Sequence, residues 1–284
     1  ILAVAGGLSN KSQILNSKFQ INSKSKILNS KRIQNSNLLN FKNSNFDIVS
    51  SSDSEDRASS FSYYLNVIEE KFSSWLDGQK ASFLKFKDRQ NSPQILIKTK
   101  KTEQAHLILG YRGLNYTHPK RYVQSVLMTI LGGGMSSRLF YQVRERRGLC
   151  YYIQSGEEPF SETGYVYTRV GLTVDVKKIN EAIKVILAEH ENIAAGKLKR
   201  EEIKKAKEMV KGRLILSLED THDLASFVGR KFIFEGKIVT PDEIMKKIDT
   251  IEKEEIVDLA KKLFVKKKLN LTLLSPLTAD KISF

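Results

Sequence analysis

Two periodicities divide the chain. Apolar residues recur near helical spacing in FSYYLNVIEEKFSSWLDG, at Tyr64, Leu65, Ile68, Phe72, Trp75 and Leu76, which predicts a helix that stops at Gly78. Residues 79 to 93 are polar and end in NSP, a linker pattern. QILIK (94–98) and QAHLILGYR (104–112) read as strands, and HPKRYVQSVLMTILGGG reads as a helix with Pro119 near its start. The next helix is expected to begin at Ser136 or Ser137, either a good N-cap, and to end at Gly148. CYYIQSG and GYVYTRVGLTV return to strand alternation. Three or four charged, amphipathic helices are expected between about Lys177 and Phe264, with Gly196, Gly212, Gly236 and Pro241 as punctuation, and KLNLTLLSP is the last strand. Strands grouped between long helices predict an α+β layering, not a regular βαβ alternation.

Length and charge adjust this picture. A chain of 284 residues holds one large or two ordinary domains, and two are expected. The formal net charge is +15, but residues 1 to 46 carry seven Lys/Arg and no Asp or Glu. That segment repeats ILNSK at Ile14 and Ile27, with INSK at Ile21 between them, and its Asn/Ser/Lys bias predicts a disordered insertion; a short repeat structure is the alternative. The rest of the positive charge is interleaved with Glu, as in LKREEIKKAKEMVKG, the pattern of a solvated helix face. Basic charge arranged this way is not a shaped nucleic-acid face, so no specific nucleic-acid partner is expected. No apolar run approaches the roughly 18 residues of a membrane span. ILAVAGG lacks the basic flank of a signal peptide and residue 1 is Ile, so the chain is read as starting mid-protein, with a cytoplasmic location expected. The single cysteine, Cys150, suits a reducing compartment.

Candidate chemistry concentrates in LGGGMSSRLFYQVRERRGLCYYIQSG, residues 131 to 156. Its glycines do not make a phosphate cradle, because a helix leads into them where a P-loop or dinucleotide fingerprint needs a strand. They are read as a flexible joint between two helices. The serines lack a GxSxG context and a nearby histidine, so capping is the better account. His106, His118, His190 and His222 form no HExxH or HxxEH pair. His106 is read as a core or edge histidine, and the other three as structural or solvated. Cys150 is read as an inert small core residue. If Leu139, Phe140 and Val143 face the core, Arg144 is the arginine placed to look inward, while Arg138 and Glu145 point away. In the following strand Tyr151 and Ile153 would share one face, and Cys150, Tyr152 and Gln154 the other. A tight turn at Gly148 could set Arg144 beside Tyr151. On spacing alone, a functional pair and an ordinary surface pair both remain open.

The stretch closely resembles the C-terminal half of the insulinase or pitrilysin family of zinc peptidases, which includes the mitochondrial processing peptidases and their bacterial relatives. EQAHLILGYRG, the long glycine-to-tyrosine stretch, ETGYVYTRVGL, EEIKKAKEMVKGRLILSLEDTHDLASFVGR and TPDEIMKKIDTI follow in the family's order, covering about Ser92 to Pro276. The bacterial processing-peptidase-like branch matches best. The resemblance implies an α+β metallohydrolase half of the LuxS and processing-peptidase type, an antiparallel-rich sheet packed against long helices. It implies that residues 1–91 are the end of a preceding, zinc-bearing domain, with the NSK-rich insertion at about 10–60, and that 92–284 form the C-terminal peptidase-family domain. In the family an N-terminal half carries HxxEH and a glutamate as zinc ligands, and the facing half supplies an arginine and a tyrosine seven residues apart. Arg144 and Tyr151 have that spacing. By resemblance, Arg144 would hold a substrate carbonyl or its neighbour, and Tyr151 would donate to the oxyanion formed as the peptide is attacked. This chain has neither HxxEH nor the glutamate, so no metal is expected to be bound by it, and zinc is expected in an N-terminal half.

Two roles follow from the resemblance. The first is the substrate-binding, transition-state-stabilising C-terminal half of a zinc metalloendopeptidase, inactive alone and partnered by an N-terminal zinc-bearing half or subunit, with peptide as substrate. The second is a non-catalytic partner or scaffold of the same fold. Homodimer and heterodimer are both open.

Overall fold

The computed structural model describes residues 54–76, 85–278 and 282, with side chains described from residue 63. ILAVAGG and the NSK-rich segment up to residue 53 lie outside the described residues. The described residues fall into two compact units, one of residues 54–76 with Asp220–Thr240, the other of Lys85–Glu219 with the chain from Pro241 onward.

The first unit contains two helices. α1 (Ser54–Phe72) begins inside the segment read above as insertion and ends short of the expected Gly78. A turn replaces its last part: the Ser73 hydroxyl donates to the Glu70 carbonyl, and the Trp75 ring packs edge-on against Phe72 with centroids 4.7 Å apart. α5 (Thr221–Glu235) starts at Asp220, whose carboxylate accepts from the His222 N–H at 2.7 Å, and closes at Gly236, where φ is 68°.

The second unit is a five-stranded sheet with helices on one face. The strands are β1 (Gln94–Thr99), β2 (Ala105–Gly113), β3 (Cys150–Pro159), β4 (Gly164–Leu172) and β5 (Asn270–Ser275), in the order β1-β5-β2-β4-β3. Only the β1–β5 pair is parallel, so the sheet is antiparallel-rich. Strand alternation sends Ala105, Leu107, Leu109 and Tyr111 of β2, Val166, Thr168 and Val170 of β4, and Leu271 and Leu273 of β5 into the helix-covered face. His106, Ile108, Arg112, Tyr165 and Arg169 stand on the opposite, open face.

The covering helices are α2 (Arg121–Gly132), α3 (Val176–Ala194), α4 (Arg200–Leu216), α6 (Pro241–Asp249) and α7 (Lys253–Leu263). α2 packs on β3 and on α4, α6 and α7, so it is the centre of the unit. Its Val126, Leu127 and Leu131 are fully buried, as are Ile179, Ile183 and Ile186 of α3; each such side chain is worth about 1.5 to 3 kcal/mol of burial. Five helices stand where three or four were expected. Gly212 does not end α4, which runs on to Leu216; on either side of it Lys211 pairs with Asp249 at 2.7 Å and Arg213 reaches the Gly133 carbonyl. α6 and α7 separate without a Gly or Pro between them; Glu252 starts α7 by a capping box with Glu255. The α+β expectation is met.

Candidate active site

The site is built where α2 hands the chain to β3. Gly132 is at the end of α2, and a Cβ there would stand 2.3 Å from the Ser155 hydroxyl oxygen and 2.6 Å from its backbone nitrogen, so only glycine lets the helix end reach the edge strand. The glycine run thus seats a helix on a strand, a closer contact than the helix-to-helix joint expected. Ser137 does not cap by accepting: its hydroxyl donates back to the Gly134 carbonyl at 2.6 Å.

The helix that follows is irregular. Residues 140–145 form a π-helical turn, Phe140–Glu145, with the Arg146 N–H reaching back five residues to the Tyr141 carbonyl at 2.8 Å. Wide turns of this kind frequently mark functional sites. Leu139 and Val143 are fully buried. Gly148 has φ 59° and closes the segment as expected, with the Gly148 N–H on the Arg144 carbonyl at 2.9 Å and the Leu149 N–H on the Val143 carbonyl at 3.0 Å.

Arg144 is exposed rather than inward-looking, with its guanidinium 4.9 Å from the centre of the Phe140 ring. Arg138 is the arginine that turns in. Its side chain is 13% exposed and pairs with Glu189 at 3.3 Å and with Glu202 at 2.9 Å, so the expectation that Arg138 points away is overturned. The reason is long-range: its acidic partners sit on α3 and α4, which helical phase within residues 138–145 does not reveal.

Tyr151 is 56% exposed. Its expected sharing of a face with Ile153 is also overturned, because β3 carries a bulge: Cys150 pairs with Leu172 and Tyr152 with Gly171, leaving Tyr151 as the extra residue. The extra residue inverts the phase. Cys150 joins Ile153 and Ser155 in the buried face, Tyr152 and Gln154 stand on the open face, and Tyr151 stands at the step between the two phases. No hydrogen bond joins Arg144 to Tyr151, and among the described residues neither the guanidinium nor the phenol hydroxyl has a hydrogen-bond partner. They flank the Gly148 turn, and the Arg144 charge is felt by the Cys150 thiol next to Tyr151. Burial outweighs that charge and pushes the Cys150 thiol up to about 11, so it stays protonated and inert at neutral pH, as read from the sequence.

A groove of about 520 Å³ adjoins the pair. Gly132, Gly133, Gly134 and Met135 form one wall, Tyr152, Ile153 and Gln154 of β3 another, with Phe140 and Arg169 completing it. The Arg169 guanidinium is held there by the Gln154 amide oxygen, 3.0 Å from its Nε. Phe140 connects the two features: it lines the groove, and the Arg144 guanidinium lies over its ring. Every lining residue but Arg169 lies in the 131–156 stretch that the sequence singled out, while the groove itself depends on how α2 meets β3.

The histidines do not assemble. His106 is neither core nor edge: it stands exposed on the open face of β2, inside the sheet order, with Nδ1 3.3 Å from the Tyr152 hydroxyl. His118 lies in a turn, its Nδ1 accepting from the Lys120 N–H, and burial together with Lys120 and Lys262 lowers its pKa. His222 is exposed at the start of α5. His190 is 3% exposed, which removes the solvated alternative for it; its ring stacks on Phe264 at 4.3 Å. Among the described residues no three His, Cys, Asp or Glu are grouped to hold a metal ion, so these residues do not fit a zinc site. Among the described residues no helix is long and apolar enough to cross a membrane.

The peptidase M16 inactive domain matches residues 63–210, and the chain belongs to the peptidase M16 family. It is 34% identical over 215 residues to the uncharacterized zinc protease YmxG of Bacillus subtilis, covering 75% of this chain and 51% of that protein. It is 33% identical over 178 residues to an uncharacterized zinc protease of Streptomyces coelicolor, covering 63% of this chain and 38% of the relative. The chain therefore spans about half the length, or less, of these relatives. A Helicobacter pylori protease shares the fold with a TM-score of 0.67 at 19% identity, over 76% of this chain and 52% of that one.

Proposed function

We propose that the chain is the substrate-binding half of a zinc metalloendopeptidase, working on peptides or unfolded segments opposite a zinc-bearing N-terminal half or subunit. The observation that carries this reading is the exposed pair Arg144 and Tyr151, unpartnered among the described residues, flanking the Gly148 turn beside a groove in a chain of this family. A guanidinium offers five N–H donors in a fixed fork, which suits Arg144 to hold a substrate carbonyl. Tyr151 offers one phenolic O–H, which suits it to donate to the scissile carbonyl oxygen as that oxygen gains charge. Such donors act most strongly where a site excludes water. Zinc would be contributed from outside the described residues, and every role assigned to Arg144 and Tyr151 is one of binding and donation.

Assay of a fluorogenic peptide with this chain, with the zinc-bearing half, and with both together tests the reading. Hydrolysis is expected only from the two together. Equal turnover by the zinc-bearing half alone would overturn it.

A further inference from the structure

Arg138 is engaged by two carboxylates and a backbone carbonyl, and nothing in the proposed chemistry uses it. It is the first residue of the helical segment that carries Arg144 six positions later. Its Nε donates to Glu202 Oε1 and its Nη2 to Glu202 Oε2, both at 2.9 Å, a two-pronged grip on the first turn of α4. Nη1 donates to Glu189 Oε2 on α3 at 3.3 Å, and Nη2 also reaches the Lys197 carbonyl in the link between those helices. Both carboxylates are themselves held: Glu202 Oε2 accepts from the Lys199 N–H at 2.8 Å, and Glu189 Oε1 from the Asn192 amide at 3.2 Å. At the other end of the segment Arg147 pairs with Glu181 of α3 at 3.6 Å and donates to the Gln142 carbonyl at 2.7 Å.

The turn between these two anchors is the π-helical one, a geometry that is rare and frequent at functional sites. Arg144 has no acidic partner among the described residues to fix its height. Its position is therefore inherited from the segment, and the segment is fixed at its start by Arg138. We propose that Arg138 is a positioning residue: by tying the start of the π-helical segment to Glu202 and Glu189, it sets where the Arg144 guanidinium meets the substrate. This rests on the substrate-contacting role proposed for Arg144.

A structural anchor and a positioning residue make different predictions in a double-mutant cycle on kcat/KM of the enzyme assembled from both halves. Arg138→Gln is expected to lower kcat/KM by about 10-fold to 10²-fold, the loss that follows a misplaced binding group. In the Arg144→Ala background the same change is expected to alter kcat/KM by less than about 2-fold, because the group it positions is gone. Arg138→Gln leaves two carboxylates facing each other, which endangers folding. Glu202→Gln keeps the Arg138 to Glu189 pair but leaves one acceptor oxygen where there were two, to be shared between Arg138 and the Lys199 N–H; it is expected to give a smaller loss that also vanishes in the Arg144→Ala background. Equal losses in both backgrounds, or wild-type turnover in Arg138→Gln and Glu202→Gln, overturns the positioning role while leaving the site reading intact. Wild-type turnover in Arg144→Ala overturns the site reading and this inference with it.

Discussion

Tyr151→Phe, in the peptidase assembled from both halves, is expected to lower kcat/KM by about 10² to 10³, and Arg144→Ala by a similar amount, with zinc content unchanged. The magnitude is that of one donor lost from a site where charge develops on oxygen. The two variants should differ in how the loss divides. In the proposed role Tyr151 donates to charge that exists only as the carbonyl becomes tetrahedral, so kcat and kcat/KM should fall together. In the role proposed for it, Arg144 would hold a carbonyl in the ground state as well, so its loss should also raise KM. Neither change should harm folding. Tyr151 is 56% exposed and its hydroxyl has no partner among the described residues, so Phe removes one O–H and nothing else. Arg144 packs only on the face of Phe140, a contact worth about 0.5 to 1 kcal/mol at an exposed position. Metal analysis alongside the kinetics separates lost donation from lost metal.

The second large effect is on stability, and its source is His190. The ring is enclosed by Phe264, stacked at 4.3 Å, and Tyr111, edge-on at 5.6 Å, with the Tyr111 hydroxyl 3.4 Å from Nδ1. Nε2 is buried and has no hydrogen-bond partner among the described residues. Burial drives the imidazole pKa from its ordinary 6.5 down to about 3, because a charged ring there would have no water. The unfolded chain takes up a proton as pH falls through 6.5 and the native chain does not until about 3. Acidification therefore favours unfolding across that window, by about 2 kcal/mol at pH 5 relative to pH 8. His190→Gln cannot protonate, so the contribution should vanish from its pH profile. Urea unfolding of wild type and His190→Gln at pH 8 and pH 5 checks this: the wild type should lose about 2 kcal/mol more than the variant. Parallel losses would mean that the histidine protonates within the folded protein.

The order of strands and helices was legible in the sequence because it is written in local periodicity. All five strands fell on the stretches whose alternation predicted them, and Gly148 marked its turn through the one backbone conformation that favours glycine. What failed was whatever depends on partners far along the chain. Arg138 and Arg144 exchanged the roles expected of them because the carboxylates that draw Arg138 inward lie 51 and 64 residues away. The bulge at Tyr151 could not be read from CYYIQSG, since alternation within one strand carries no information about the register of its neighbour. Gly171, whose missing side chain makes room for the Tyr152 ring, was the one local signal of it. The 131–156 stretch marked the groove's residues but not its shape, which comes from α2 ending on glycine against β3, the outer strand. His190 showed the converse case: a polar-looking helix position became the best-buried histidine once α3 met α7.

The pair Arg144 and Tyr151 was singled out by the spacing that the family resemblance implies, and in the fold a π-helical turn, a left-handed glycine and a bulge bring both side chains to the surface on either side of one turn. The measurement that bears most directly on the transition-state role is the affinity of a phosphinic peptide, whose tetrahedral phosphorus carries anionic oxygen where the scissile carbonyl would be. It would be compared between the assembled wild type and Tyr151→Phe at equal zinc content. The inhibition constant is predicted to rise by the same factor by which kcat/KM falls. An inhibition constant unchanged by the substitution would contradict the assignment of Tyr151 as the oxyanion donor.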